Sequence, residues 1–205
     1  MEVININQAV KEVGNWPTEH WLLDFFGTIA AECYGSDTSS YEKNKTRTLG
    51  CIKRGHTSVV EHVNLSITFT TDRATANALV RHRHCAFTQE STIYSQYKKL
   101  TVVNLPTEDH YNPDYKYTKL IASALKDASI AYDAASTSKR DYLPNCTACK
   151  LTMSTNLREW FYIINLRKDP ADSPRMHELV FILDNIFTNK YPEIWKAFNS
   201  GVCTL

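Results

Sequence analysis

The chain has no apolar run near the roughly 20 residues that a membrane-spanning helix needs, no excess of one charge and no cysteine framework. The first absence argues against a membrane partner. Lys plus Arg number 23 against 22 for Asp plus Glu, a net charge of +1, which argues against a nucleic-acid sheath. Any anion site must therefore be local. The start "MEVININQAVKEVG" lacks the basic-then-apolar order of a secretory signal, so the expectation is a cytoplasmic protein. Cys33, Cys51, Cys85, Cys146, Cys149 and Cys203 are scattered, as suits free thiols better than disulfides. Repeats, linkers and low-complexity tracts are missing too. The 205 residues, 43% of them hydrophobic, read as one domain, 1–205, with enough apolar content for a real core.

What is present is a sequence of helical and alternating patterns. "PTEHWLLDFFGTIAAECYG" places Trp21, Leu22, Phe25, Phe26 and Ile29 at helical spacing, with Gly35 as its stop. A second, polar helix covers "SSYEKNKTRTLGCIKRG" and ends near Gly55. "EHVNLSITFTT" alternates Val63, Leu65, Ile67 and Phe69 with Asn64, Ser66, Thr68 and Thr70, the pattern of a strand with one wet face. A helix follows, capped by Asp72. Then come a short strand in "LTVVNLP", a loop rich in Pro, Asp and Tyr, and the amphipathic helix "YKYTKLIASALKDASIAYDAAS". A strand in "ACKLTMSTN" leads into a helix that stripes Leu157, Trp160, Phe161 and Ile164 on one face, with two further helices behind it. Without regular βαβ alternation, the class is α+β: a central mixed or antiparallel sheet flanked by helices, with a helical C-terminal part.

The densest chemistry is "RHRHCAFTQES", residues 81–91, at or just beyond the end of a helix. Four readings compete. A solvated helix end gains a few tenths of a kcal/mol from the dipole. Zinc at His82 and His84, with His56 and His62, is disfavoured because "HTSVVEH" is not HExxH. Cys146 and Cys149 form a CxxC with neither a second CxxC nor a βαβ context. The last reading is an anion site, where Arg brings bidentate donors and His another hydrogen bond.

Arg81-His82-Arg83, seven residues, then Ser91 resembles the RHR-x7-S signature of ThyX, the flavin-dependent thymidylate synthases. "GHTSVVEH" upstream is similar to the family's HxSxxEH segment, and "AAECYGS" and "NLREWFYIINLR" fall in the family's order. The likeness spans roughly residues 27–187. It implies a ThyX-like fold and a homotetramer whose active sites form between subunits. Each site would hold FAD, a pyrimidine nucleotide and a folate. It also implies methylation of dUMP to dTMP, with carbon from methylenetetrahydrofolate and reducing equivalents from NADPH. By the same resemblance Arg81, His82, Arg83 and His84 hold FAD, and Ser58 and Glu61 line the flavin. Arg73, Gln89, Ser91 and Thr92 bind nucleotide. His56 and Arg158 are the catalytic candidates, Arg158 reaching a neighbouring subunit's nucleotide. Arg167 is expected to be structural. No cysteine attacks the pyrimidine in this family, so neither Cys85 nor Ser91 is assigned as a nucleophile.

Two departures bear on substrate. The family reads S-x-R-Y where this chain has Ser91-Thr92-Ile93-Tyr94, and Asn185 stands where a family arginine meets the pyrimidine, with Arg175 as a spatial substitute. Losing such a charged hydrogen bond costs on the order of 1.5–3 kcal/mol. Asparagine both donates and accepts, so Asn185 suits a cytosine amine. The alternatives are thus a diverged enzyme on another pyrimidine nucleotide such as dCMP, or a catalytically silent nucleotide-binding paralogue. Tyr94, Tyr97 and Lys98 as a nucleic-acid surface are disfavoured by the neutral charge.

Overall fold

The computed structural model describes residues 2–94, 97–104 and 115–201. The expected Pro-, Asp- and Tyr-rich loop at 105–114 and Cys203 lie outside them. In chain order the elements are β1 (Glu2–Ile6), β2 (Ala9–Val13), α1 (Glu19–Glu32), α2 (Tyr41–Lys53), a 3-10 turn (Thr57–His62), β3 (Asn64–Asp72) and α3 (Arg73–Leu79). Then follow β4 (Ala86–Gln89), β5 (Lys99–Val103), α4 (Tyr115–Ala134), a second 3-10 turn (Lys139–Tyr142), β6 (Ala148–Asn156), α5 (Leu157–Leu166), α6 (Pro174–Lys190) and α7 (Pro192–Ser200).

The main sheet runs β2-β3-β6-β4, antiparallel throughout, and a separate pair joins β1 to β5 in parallel. Alternation in β3 buries Leu65, Ile67 and Phe69 on one face, as expected. The other face is less wet than its sequence suggests. Ser66 Oγ meets Ser154 Oγ at 2.7 Å and Thr68 Oγ1 meets Thr152 Oγ1 at 2.8 Å, so hydroxyls satisfy one another across the strands. On the apolar face, helices supply Phe26, Trp160, Phe187, Trp195 and Phe198 to a single large core. A smaller cluster joins Leu100 and Val102 of β5 to Tyr132 of α4 and Leu143.

Three strands escape sequence reading: β1, β2 and β4. Each is four or five residues long. Their pairing is also distant, with Glu2 lying opposite Lys99, so local pattern carries little signal. In α1 the buried face is Leu22, Leu23, Phe26, Ala30 and Ala31, whereas Trp21 is exposed and stacks on Phe25 at 4.5 Å.

Helix ends follow sequence chemistry closely. Asp72 caps α3 by accepting from Thr75 N at 2.7 Å, and Asn156 caps α5 by accepting from Glu159 N at 2.9 Å. Gly55, at φ +78°, closes α2. There Gly55 N donates to Ile52 O and His56 N to Cys51 O, the paired bonds of a glycine-terminated helix.

Gly27 sets the contact between α1 and α2. A Cβ there would lie 2.2 Å from the backbone oxygen of Asn44. Asn44 is fully buried, and its amide donates to Asp24 Oδ1 at 2.8 Å and to Thr38 O at 2.9 Å. Gly27→Ala must therefore push the helices apart. It should cost about 3 kcal/mol, the upper end of ordinary overpacking, read as a lower urea midpoint at an unchanged slope.

Candidate functional site

Strand and helix register bring the basic cluster to one end of the sheet. α3 leaves β3 at Asp72 and runs back along the sheet for seven residues, about 10 Å. The turn Arg81–His84 then enters β4, whose Ala86 pairs with Ser154, two residues before the cap of α5. Thr155 Oγ1 pins that turn by donating to His84 O at 2.7 Å. The turn, the 3-10 segment and α5 enclose an open pocket of about 820 Å³, lined by Glu61, Arg81, His82, Arg83, His84, Asn156, Arg158, Glu159, Tyr162, Leu166 and Arg167.

Charge in this pocket is unevenly partnered. Arg81 and Arg83 are exposed and make no hydrogen bond or ion pair among the described residues. Arg158 Nη1 donates to Glu61. His82 is 7% exposed, and Arg167 Nε donates to its Nε2 at 3.1 Å. Arg167 also donates from Nη2 to Ala78 O at 2.8 Å and faces Asp172 at 3.4 Å. Burial, and then the Arg167 charge, pull the His82 pKa from 6.5 to about 4, with Asp172 opposing. Burial raises the Glu159 carboxyl above its usual value, partly offset by His84 and Arg158.

A second group gathers at the far end of β4. Arg73 has a buried Nη1 without a partner, as do the Tyr97 hydroxyl and Thr147 Oγ1. Gln89 Nε2 lies 3.7 Å from Cys149 Sγ. Ser91 Oγ accepts from Ile93 N at 3.2 Å, holding a tight turn that leaves Ile93 63% exposed.

Of the residues expected to act, Glu61, Arg81, His82, Arg83, His84 and Arg158 converge on the pocket. Arg73, Gln89, Ser91 and Thr92 do not line it and belong to the β4 end. His56 and Ser58 are exposed about the 3-10 turn and do not line this pocket, and Asn185 is exposed on α6, also outside it. Arg175, expected as a spatial substitute, is engaged within the chain itself. Its Nε sits 3.1 Å from the buried Asp72 carboxylate and its Nη2 donates to Val103 O at 2.9 Å, so it ties α6 to β3 and β5.

Asn156, Glu159, Tyr162 and Leu166 escaped the sequence reading. A usable signal was present: 158, 159, 162 and 166 form the helical stripe opposite the buried Leu157, Trp160, Phe161 and Ile164. The thiols of Cys146 and Cys149 are raised by burial, which disfavours thiolate chemistry at this CxxC. Among the described residues no three His, Cys, Asp or Glu side chains gather as a metal site. Nor is any helix among them long and apolar enough to cross a membrane.

The family model for thymidylate synthase complementing protein matches residues 25–193. The chain belongs to this family. Against the flavin-dependent thymidylate synthase of Synechocystis sp. it is 25% identical over 189 residues, covering 83% of this chain and 88% of the relative. Against that of Corynebacterium diphtheriae it is 22% identical over 203 residues, covering 88% and 79%. A solved structure of the UMP/dUMP methylase PolB from Streptomyces cacaoi, bound with 5-Br dUMP, matches 98% of each chain at a TM-score of 0.76 and 18% identity. That likeness speaks for the fold, and the ThyX-like α+β architecture expected from sequence is the one observed. In this family member the RHR turn and α5 line the same pocket.

His82 makes stability pH-dependent. The unfolded chain takes up the proton near 6.5 and the folded chain only near about 4. Stability is therefore full above about 6.5 and is lost as pH falls toward 4. Urea unfolding of wild type should lose up to roughly 3 kcal/mol more than His82→Gln over that range; parallel curves for the two proteins would contradict the assignment.

Proposed function

We propose that this chain is a flavin-dependent methyltransferase that methylates C5 of a pyrimidine nucleotide, dUMP in the first instance, as a thymidylate synthase. Its carbon would come from methylenetetrahydrofolate and its reducing equivalents from NADPH. The observation that carries the reading is the pair of unpartnered guanidinium groups, Arg81 and Arg83, at the mouth of the 820 Å³ pocket. Two free cations beside a space of ligand size suit the diphosphate of FAD. The donor set fits the cofactor: Arg81, Arg83 and His84 on one wall and Arg158 on the other, with Glu61 as its acceptor partner.

Bound there, FAD would supply the two-electron reduction that turns the transferred one-carbon unit into a methyl group. The chain's own residues bind, orient and stabilise charge. Arg81 and Arg83 neutralise the anion. Arg158, held by Glu61, is positioned to exchange that partner for a ligand oxygen. Cys85 takes no nucleophilic part, since burial pushes its thiol up to about 11. Arg73, Gln89, Ser91 and Thr92 would bind the nucleotide, and the orphaned Nη1 of Arg73 supports an added acceptor there. β4 separates this group from the basic pocket by roughly 10 Å; the homotetramer in which neighbouring chains complete each site enters the reading as what the resemblance implies.

Flavin titration tests this directly. Arg83→Ala, and separately Arg81→Ala, should each weaken FAD binding by one to two decades while leaving the melting temperature close to wild type. Unchanged affinity in both would remove the basis of the proposal.

A second reading, action on a pyrimidine nucleotide other than dUMP, is favoured by Ile93, which offers an exposed apolar side chain where the resemblance implies an arginine. Asn185, outside the basic pocket, lends it no support. Calorimetry on the FAD-loaded protein with dUMP, UMP and dCMP separates the two. dUMP bound at least tenfold tighter than the others sustains the first reading, and the reverse order sustains the second.

A further inference from the structure

We infer that Arg73, Tyr97 and Thr147 form an enclosed site for one small monovalent anion of the halide class, behind the far end of β4 and apart from the basic pocket. Arg73 Nη1, Tyr97 OH and Thr147 Oγ1 are all buried, and none has a partner among the described residues. Thr147 is 0% exposed. Buried polar atoms are normally paired, so three together call for a shared partner. Backbone contacts place them in one spot. Arg73 N donates to Thr147 O at 3.1 Å, so α3 starts against the residue that precedes β6. Val102 of β5 bridges to Thr147, and Tyr97 lies two residues before β5, where its N donates to Tyr132 OH at 3.2 Å. Cys149, on the same side of the extended chain as Thr147, is a common neighbour: its thiol feels the Arg73 charge, and the Tyr97 hydroxyl feels both.

Donors dominate the site. A guanidinium donates and never accepts. Burial, and then the Glu90 charge, push the Tyr97 hydroxyl up to about 12, so it stays protonated and able to donate. Thr147 adds a rotatable O–H. Acceptors nearby are already engaged: Thr147 O by Arg73 N, Cys149 Sγ by Gln89 Nε2 at 3.7 Å, and Glu90 Oε2 by Lys150 N at 3.2 Å. An anion accepts from all three groups without having to donate, whereas a water must also place its own two protons. The half-buried Arg73 guanidinium makes no ion pair among the described residues, and a single negative charge offsets it. Because the three atoms are shut off from solvent, a phosphate or carboxylate group does not fit among them and a single-atom ion does. The site is thus separate from any nucleotide. On the nucleotide reading above, Arg73 is held from behind at Nη1 and keeps its other N–H groups for that ligand.

Crystals of the full chain grown in sodium bromide and measured at the bromine edge test the site, with thermal melts in solution beside them. An anomalous peak should fall between Arg73 Nη1, Tyr97 OH and Thr147 Oγ1. In melts at equal ionic strength, chloride or bromide at about five times its dissociation constant should raise the wild-type melting temperature by roughly 2–4 °C over gluconate, which is too large to be enclosed. Thr147→Val and Tyr97→Phe each keep the shape and remove one donor, and each should weaken halide binding about tenfold. An ordered water without bromine signal at that spot overturns the inference. So does a peak with no halide-dependent rise, which is binding at crystal concentration only, or a rise that both variants keep in full. Two separate variants and a wild-type map keep the test decisive if one variant does not fold. No readout uses flavin or nucleotide, so failure of the flavin reading leaves this test intact.

Discussion

Nine residue pairs join β3 to β6, from Asn64 opposite Asn156 to Asp72 opposite Ala148, and the site depends on that register. Each strand ends in a residue that caps the next helix. Asp72 starts α3 at one end of the ladder and Asn156 starts α5 at the other. Because the strands are antiparallel, α3 must run back along the sheet before its basic turn meets the first turn of α5. A slip of one residue would turn Leu65, Ile67 and Phe69 out of the core and carry both caps away from their helices. The aromatic packing of Trp160, Phe187 and Trp195 against this sheet makes such a slip costly.

A chain of almost no net charge thereby obtains a strongly cationic pocket. The cations are separated by role rather than pooled. Arg175 is bound to the buried Asp72 and strand carbonyls, Arg167 to a histidine, a helix end and Asp172, and Arg158 to Glu61. Arg81 and Arg83 alone in the motif turn stay without protein partners among the described residues. Arg167 and Arg175 lie well covered, while Arg158 and the two free ones stand where water screens them.

Much of this was legible in the sequence. The alternation of Leu65 to Phe69, the stripe from Leu157 to Ile164, and the stops at Gly35 and Gly55 are local patterns, and each element formed where its pattern lay. Glu61, the RHR turn and Arg158, picked out by motif, line one pocket. The strands at Glu2–Ile6, Ala9–Val13 and Ala86–Gln89 were not legible, because short edge strands take their stability from distant partners. Asn185 was placed on the pyrimidine by the family resemblance, and it lies exposed on α6 outside the basic pocket.

By itself, then, the sequence determined which residues carry charge, where helices begin and end, and which family's motifs they compose, since these depend on side-chain chemistry and neighbours within a few positions. Only the tertiary structure decided which of those charges remain available. Whether an arginine is a ligand-binding group or a brace depends on what lies 3 Å from its guanidinium, and for Arg81, Arg167 and Arg175 that was fixed by elements far apart in the chain.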